Sequence, residues 1–516
     1  MMAIDKVIVT NAAALSAKYG KTGFGKVGAA LKKLIAADAK RGLTSKLIAL
    51  DSKTDMAPYG VPVASAADAK AVKAAIDAIY AREKPDYILI LGASDVVPLV
   101  PLKNPVYSAG NDDDRFVPSD LPYACNTGYG TDINRFVGPT RVVGRLPDLV
   151  GAKSPDYLLK LISLAANYKT LAPADYQQYF GLSAQVWQNS TSLSLTKIFG
   201  NSTGLNLAPS SGPKWTVKQL SPRAHFINCH GAHRDVSYYG QKGDSYPIAH
   251  TAKNLVKKIV PGTVLAAECC YGAELYDPVL TGGQAGIACT YLGEGAYGVF
   301  GSTTIAYGPS SGNGSADLIC QFFLHAVIDG ASLGRAALEA RHQFAGLYSH
   351  MGPTDLKTLA QFYLLGDPSI QAAAIVPHGL NKTKAFQSAF AKIGDAGVRT
   401  LRRERLHRVG TSLKKDLPAT RATKPGAGPE PSREITRVLA DAAAESGLTG
   451  HASLHFHVAH KASLNKGDGV KRTVHVLISA PDQGPKQQHA AFRKVVAIVA
   501  TAENGKLVHL KRLHSR

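Results

Sequence analysis

The sequence predicts an α/β fold with a mainly parallel sheet in two subdomains, followed by a small α+β domain. Short runs rich in Val, Ile and Leu alternate with segments whose apolar residues recur at i, i+3 and i+4. Such alternation is typical of buried parallel strands between amphipathic helices. The alternation starts twice along the 516 residues, near residue 1 and again near residue 171. Beyond Pro377 the composition changes, which indicates a separate C-terminal region.

The first subdomain is predicted over residues 1–170. Strands are predicted at residues 6–10, 46–50, 87–91 and 141–144, and helices at residues 27–37, 67–80 and 155–168. Residues 98–138 are rich in Pro, Asp and Gly and are expected to form a long loop. Strands that alternate with helices in this way are expected to join by right-handed crossovers into one parallel sheet.

The second subdomain is predicted over residues 171–376. Its predicted strands are residues 179–187, 225–230, 263–269 and 296–301, and its predicted helices are residues 251–259, 315–329, 333–344 and 356–364. The same alternation therefore predicts a second part of the α/β fold.

The region after Pro377 is predicted as two parts. Residues 377–432 form a basic helical segment with a Pro- and Gly-rich linker, and residues 433–516 form a small α+β domain. Residues 376–516 hold 25 Lys and Arg against 10 Asp and Glu, whereas the rest of the chain holds 34 against 28. This excess predicts either an anionic partner for the C-terminal region or a charge that only improves solubility.

The cysteines and the N-terminus indicate a reducing compartment. The six cysteines do not have the spacing of a disulfide scaffold and are interpreted as thiols. No run of 18 apolar residues predicts a membrane span, and no apolar leader segment is seen at the N-terminus. A cytoplasmic location is therefore expected, with export by a route that needs no signal peptide as the alternative.

Two neighbouring strands end in residues that can carry chemistry. One predicted strand ends in His230-Gly231, and the next ends in Cys269-Cys270 before a turn that contains Gly272. A helix predicted between them would place both strands side by side and parallel. Their carboxyl ends would then share the sheet edge where open α/β sheets bind ligands. The sequence therefore predicts that His230 and one of the two cysteines meet in a crevice.

This pair is suited to nucleophilic catalysis. A histidine can take the proton of a thiol and later return it to a leaving amine, and the thiolate is a strong nucleophile. The N–H groups of Gly231 and Cys270 are predicted to form an oxyanion hole. Two alternatives stay open, a purely structural role and a zinc site. Adjacent strand residues point to opposite faces, which disfavours a zinc site built from Cys229, His230, Cys269 and Cys270.

The order of several short motifs resembles the caspase-like (clan CD) cysteine peptidases, most closely the gingipain-like branch (peptidase family C25), over residues 1–376. The motifs are residues 87–92 with Val97-Pro98, Ser119-Asp120 with Tyr123, residues 143–147, Cys229-His230-Gly231, residues 300–304 and residues 365–369. The resemblance implies a three-layer α/β/α fold and a cysteine endopeptidase that acts on protein or peptide substrates through an acyl-enzyme, without a required cofactor.

The resemblance also bears on individual residues. It favours Cys270 as the nucleophile, since a small residue precedes it, and leaves Cys269 as the alternative because Gly272 lies three residues later. Gln185, Trp187, Ser302 and Thr303 become candidates for the substrate pocket, although a buried core residue is the preferred interpretation of Trp187. No acidic residue lies between Tyr176 and Arg234. A preference for a basic substrate side chain is therefore doubtful unless Asp235 or Asp244 supplies the charge.

The acidic run Asn111-Asp112-Asp113-Asp114 is a candidate for a structural calcium ion, with a solvated loop as the alternative. Two further functions are kept beside the peptidase. One is a catalytically inactive member that binds ligands in the same crevice, and the other is an effector scaffold that docks a partner through its basic C-terminal region.

Overall fold

The structure is a computed structural model and describes residues 3–309, 311–375, 384–423, 431–448, 450–459, 471–480 and 494–516, with residues 384–396 described by their helical backbone only. The strands are β1 (Lys6–Thr10), β2 (Ser45–Ala49), β3 (Tyr87–Leu91), β4 (Val100–Lys103), β5 (Phe116–Ser119), β6 (Val143–Leu146), β7 (Tyr179–Ala184), β8 (Leu205–Ala208), β9 (Ala224–Asn228), β10 (His230–Gly231), β11 (Ser237–Tyr239), β12 (Ile248–Thr251), β13 (Val264–Ala267), β14 (Gly298–Ser302), β15 (Tyr307–Pro309), β16 (Phe362–Gly366), β17 (Ala419–Ala422), β18 (Ala452–Ala459), β19 (Arg472–Ser479), β20 (Val496–Glu503) and β21 (Lys506–Ser515).

The helices are α1 (Ala12–Lys40), α2 (Lys53–Met56), α3 (Ala69–Glu83), α4 (Asp156–Asn167), α5 (Gln188–Phe199), α6 (Ile287–Gly293), α7 (Ala316–Ile328), α8 (Leu333–Gly346), α9 (Pro353–Gln361), α10 (Lys384–Asp416) and α11 (Arg433–Glu445). Amphipathic spacing explains their packing. In α4, for example, Leu158, Leu161, Ile162 and Ala165 are buried and recur at i, i+3, i+4 and i+7.

Ten of the described strands form one sheet in the order β2-β1-β3-β6-β16-β14-β13-β9-β7-β8. Neighbours on the first side, from β2 to β16, pair in parallel, and so do neighbours from β14 to β8. The single antiparallel pair in this sheet joins β16 to β14. The sheet therefore has two parallel halves that run in opposite directions, and β16 is the strand at which they meet.

Helices cover both faces of this sheet. Helices α1, α4 and α6 pack together, while α5, α7, α8 and α9 form a second group, and α6 and α7 both contact β14. Because both faces are covered, a strand such as β1 is buried along its whole length. The three-layer α/β/α fold with a mainly parallel sheet is confirmed.

A smaller sheet has six described strands in the order β15-β21-β20-β19-β18-β17, and all of them except β15 come from the C-terminal region. Along β20 the side chains alternate between two cores. Val496 and Ile498 pack with α11, whereas Ala497 and Val499 join the main core. The small α+β unit is thus packed against the rest of the molecule, and its edge strand β21 pairs with β15, which follows β14 in the chain.

Several predicted elements differ from the structure. The predicted helix at residues 251–259 is only a short 3-10 turn (Ala252–Asn254), and Lys257 has a left-handed φ of 60° that interrupts a helix. The connection from β9 to β13 is instead the antiparallel sheet β10-β11-β12. Residues 362–364, predicted as the end of a helix, belong to strand β16. In the described residues no helix is long and apolar enough to cross a membrane.

Candidate functional site

The crevice lies where β9 and β13 end. These strands are parallel neighbours, with Ala267 opposite Ile227, so the residues that follow them reach the same sheet edge. Gly231 lies directly against the main chain of Cys270, and a Cβ atom at Gly231 would overlap the Cys270 carbonyl oxygen. Only glycine fits this close approach. The structure thus brings the His230-Gly231 and Cys269-Cys270 motifs together, although a three-stranded sheet rather than the predicted helix connects them.

Two main-chain donors converge beside the thiol. The N–H groups of Cys270 and Gly231 both donate to the main-chain oxygen of Arg516, at 3.0 and 3.3 Å. The two N–H groups that the sequence predicts as an oxyanion hole therefore point at one carbonyl oxygen. Such a pair can stabilise negative charge on that oxygen.

The two adjacent cysteines face different surroundings. The Cys270 thiol contacts Ala306, whose N–H donates to it at 3.3 Å and whose carbonyl lies 3.5 Å away. The Cys269 thiol points into the core, 4.0 Å from the Ile227 carbonyl. Burial raises the pKa of Cys270 to about 12 and raises that of Cys269 well above its usual range. Of the two, Cys270 itself supplies one of the converging N–H groups, and its thiol faces Ala306 rather than the core.

His230 is held by an amide. Its Nε2 lies 2.7 Å from Gln241 Oε1, and its ring packs on Trp187 with centroids 4.3 Å apart. Gln241 Nε2 donates to the Tyr246 hydroxyl at 3.1 Å, which leaves Oε1 to accept from the histidine. Burial lowers the pKa of His230 to about 3. The polar partner of the histidine is thus Gln241 from the loop after β11, which the sequence analysis missed, while Gln185 lies half-buried on the 3-10 turn before α5.

The side chain of Arg516 fills a buried pocket beside His230. Its guanidinium lies over the Trp187 ring, 4.4 Å from the centroid, and donates to the Pro309 carbonyl at 2.8 Å. Its Nη2 also donates to both carboxylate oxygens of Asp317, at 2.9 and 3.1 Å. Trp187 is therefore a buried residue that packs on Arg516, and its assignment to a substrate pocket stays a prediction.

The carboxylate of this pocket comes from an unexpected position. Asp317 is in the first turn of α7 and is fully buried, whereas Asp235 bonds Ser237 and Tyr239 instead. The buried carboxylate beside Arg516 thus lies outside the stretch between Tyr176 and Arg234, and the preference for a substrate side chain stays a prediction. The local sequence does not mark Asp317 as a pocket residue, because an acid in a first helical turn is ordinarily interpreted as helix stabilisation.

A second carboxyl group, that of Glu268, lies close to the Asp317 carboxylate. Burial raises the pKa of Glu268 well above its usual range, and the nearby charge of Asp317 raises it further. Both causes favour the neutral form of Glu268, whereas the carboxylate of Asp317 forms the ion pair with Arg516.

Ser302 and Thr303 lie at the end of β14, where their hydroxyls serve the main chain. Ser302 Oγ donates to the Cys269 carbonyl at 2.8 Å, and Thr303 Oγ1 donates to the Pro118 carbonyl at 2.8 Å. Both side chains thus brace the loops around the crevice. Their assignment to the substrate pocket stays a prediction without a contact that supports it in the described residues.

The acidic run before β5 forms ion pairs with a lysine side chain of the same chain. Lys357 Nζ lies 2.5 Å from Asp112 and 3.4 Å from Asp114, and all three side chains are largely buried. Across the described ranges, no group of three or more His, Cys, Asp or Glu side chains is arranged to hold a metal ion. The calcium site stays a prediction, and the structure gives two of its carboxylates an ammonium partner.

Comparison with known proteins gives one family. The sequence model of peptidase family C25 matches residues 3–373. A solved structure described as a protease is 14% identical, with 99% of this chain and 97% of that chain covered and a TM-score of 0.47. The separase–securin complex of Saccharomyces cerevisiae is 14% identical, with 47% and 14% covered and a TM-score of 0.26. No curated protein matches the chain.

Proposed function

The chain belongs to peptidase family C25, and we propose that it is a cysteine endopeptidase that cleaves peptide bonds with Cys270 and His230. The observation that carries the proposal is the convergence of the Cys270 and Gly231 N–H groups on one main-chain oxygen beside the Cys270 thiol. That arrangement suits a peptide carbonyl that is attacked by this sulfur.

The reaction follows from these groups. His230 takes the thiol proton, and Cys270 Sγ attacks the carbonyl carbon while the two N–H groups hold the developing oxyanion. The C–N bond then breaks, and His230 returns the proton to the leaving amine. Water, activated by His230, attacks the thioester, so that the acid product leaves and the thiol is restored. Formation and hydrolysis of the acyl-enzyme both proceed without a metal or a cofactor.

Substitution of the two adjacent cysteines tests the nucleophile. Because Arg516 fills the crevice, each substitution is made both in the wild type and in an Arg516→Ala background. Cys270→Ala and His230→Ala are expected to lower kcat/KM by about 10³-fold or more, since they remove the nucleophile or its base. Cys269→Ala is the matched control and is expected to change kcat/KM less than about threefold, because its thiol points into the core. Cleavage of a diverse peptide library, followed by mass spectrometry, measures the effect.

Two results would contradict the proposal. One is cleavage that survives in Cys270→Ala, and the other is the absence of cleavage in both backgrounds. The second result would favour the alternative of an inactive crevice used for binding. One observation favours that alternative, since burial leaves both Cys270 and His230 uncharged in this structure.

A further inference from the structure

Strand β21 enters the crevice as a bound peptide would. It pairs antiparallel with β15, with Ser515 opposite Tyr307, and the Arg516 N–H donates to the Ala306 carbonyl at 2.9 Å. The same Ala306 contacts the Cys270 thiol through its own N–H. Addition of a strand to a sheet edge is a common way in which proteins bind extended peptides.

The main chain of Arg516 takes the place of a reacting carbonyl. Its oxygen accepts from the N–H groups of both Cys270 and Gly231. These are the donors to which the proposed mechanism assigns the substrate carbonyl oxygen. A substrate therefore cannot occupy these donors while Arg516 is in place.

The side chain of Arg516 is also enclosed by the protein. It is fully buried between the Trp187 ring and the Asp317 carboxylate. Gly308 forms the wall on the β15 side, and a Cβ atom there would overlap the guanidinium. The pocket thus matches an arginine in length, charge and shape.

We propose that β21 is a ligand of the crevice within the same chain, which closes it by placing Arg516 in a pocket selective for arginine. This inference rests on the proposed function, because it gives the crevice a substrate class and a form of regulation. Displacement of β21 from β15 opens the pocket to the arginine of another peptide.

Charge and shape both favour arginine over other side chains. Asp317 is a buried carboxylate, and a neutral side chain would leave it without a cation, although the Asn228 amide and the Gly314 N–H would still donate to it. A planar guanidinium bonds the carboxylate while it stacks on Trp187, which the compact ammonium of lysine does less well. Among the residues that the structure describes, Arg516 Nε and Nη1 have no hydrogen-bond partner, and both are buried. The closed state therefore leaves part of the guanidinium unsatisfied, so that β21 is suited to exchange.

Closure by β21 also disfavours proton transfer from Cys270 to His230. With β21 in place, burial first and the Arg516 charge next lower the pKa of His230. Burial raises the pKa of Cys270. Both shifts oppose transfer of the thiol proton to the histidine. Removal of Arg516 takes away one of these causes and exposes both groups to solvent.

Binding of a labelled peptide to the full chain tests the inference without catalysis. The probe is a fluorescein-labelled octapeptide with the sequence of residues 509–516 and an amidated end. It is titrated into Cys270→Ala and into the double variant with Arg516→Ala, with fluorescence anisotropy as the readout. The double variant is expected to bind at least about tenfold more tightly, since an occupied site lowers apparent affinity by the fraction that is open. Asp317→Asn, or a probe that ends in glutamine, is expected to weaken that binding at least about tenfold.

Arg512→Ala is the matched control, because Arg512 carries the same charge on the same strand but pairs with Glu445. It is expected to leave probe binding as weak as in Cys270→Ala alone. Equal binding by the Arg512 and Arg516 variants would overturn closure by β21, and equal binding of the glutamine probe would overturn selectivity for arginine. A chain that binds the probe in this pattern but cleaves nothing would contradict the peptidase function alone.

Gly308→Ala gives a second test if Arg516→Ala does not fold. Its Cβ would expel the guanidinium while the charge stays in the chain. Alkylation of Cys270 by iodoacetamide, followed by mass spectrometry of the otherwise unchanged protein, is expected to speed up at least about tenfold as the thiol opens to solvent. An unchanged rate in this folded variant would overturn the inference.

Discussion

The neutral amide on His230 fixes which ring nitrogen can act as a base. Since Gln241 Oε1 accepts from Nε2 at 2.7 Å, the proton of the neutral ring is on Nε2 and the lone pair is on Nδ1. An amide orients the ring but does not stabilise its charged form as a carboxylate would. The hydrogen bond to Gln241 raises the pKa of His230, but burial lowers it more, so the ring stays weakly basic.

Gln241→Glu is expected to raise the pKa of His230 by at least one unit. Burial lowers that pKa to about 3 in the wild type, and a carboxylate beside Nε2 would favour the imidazolium. The His230 ring carbon and hydrogen signals in NMR spectra, followed from pH 3 to pH 8, give the midpoint. Tyr246→Phe serves as control, because Gln241 Nε2 still donates to the Gly243 carbonyl at 2.9 Å and so keeps Oε1 in place. A midpoint that does not move would show that Gln241 does not set the proton affinity of this ring.

Sequence reasoning reached some residues of the site and not others. His230, Gly231 and Cys270 follow strands, and strand ends of a parallel sheet share one edge, so their meeting was predictable. Asp317 and Arg516 come from a helix start and a distant strand. Nothing in their local sequence indicates that they pair, since that contact depends on how two sheets pack.

At the scale of elements, the loop that carries Cys270 is held by a buried charge cluster. Tyr271 has a left-handed φ of 53°, which is strained for a residue other than glycine. Its hydroxyl donates to Asp114 at 2.8 Å, and Asp114 also accepts from the Ile305 N–H at 2.8 Å. Lys357 of α9 neutralises Asp114 and Asp112. Helix α9 therefore holds the loop through its lysine.

Lys357→Met is expected to lower the free energy of unfolding by about 3–5 kcal/mol, because it leaves two buried carboxylates without their cation. Urea denaturation followed by circular dichroism measures the loss. Lys511→Met is the control, since its pair with Asp355 of the same helix is partly exposed and is worth only about 0–1 kcal/mol. Equal losses in the two variants would contradict a special role for the buried cluster.

The elements themselves were predictable to different degrees. Helix α7 and strands such as β9 and β13 have strong local patterns, and the structure has them close to where they were expected. Strand β16 was missed because a buried apolar run directly after a helix has no period of its own. The antiparallel contact of β16 with β14 depends on tertiary packing, so local sequence could not give it.

At the scale of the whole molecule, the first strand is tied to the last part of the second half. The ammonium group of Lys6, fully buried, lies 2.5 Å from Asp367 and 2.9 Å from Asp38. One core extends through both halves and through one face of the C-terminal sheet. Part of the positive charge of the basic helix α10 is compensated within the molecule, since Arg399 and Arg403 form ion pairs with Asp86. An anionic partner for the C-terminal region stays a prediction.

Because the halves share one core, Lys6→Met is expected to destabilise both together, by about 3–5 kcal/mol for two carboxylates left without a cation. Both tryptophans, Trp187 and Trp215, lie in the second half. Their fluorescence and the far-ultraviolet circular dichroism of the whole chain are expected to shift to the same lower urea concentration. Lys46→Met, at a half-exposed pair with Glu83, should shift neither. A fluorescence midpoint that stays fixed in Lys6→Met would mean that the halves unfold independently.

The position of β16 has a consequence for synthesis on the ribosome. This strand lies between β6 and β14, yet it is made about 200 residues after β6. Until Gly366 has left the exit tunnel, the growing chain exposes the unpaired edge of β6, which is a template for wrong pairing between nascent chains. Synthesis of the first parallel half of the sheet thus starts early, but this half is complete only after β16 has been made. A chaperone that shields open strand edges would act on the nascent chain during that interval.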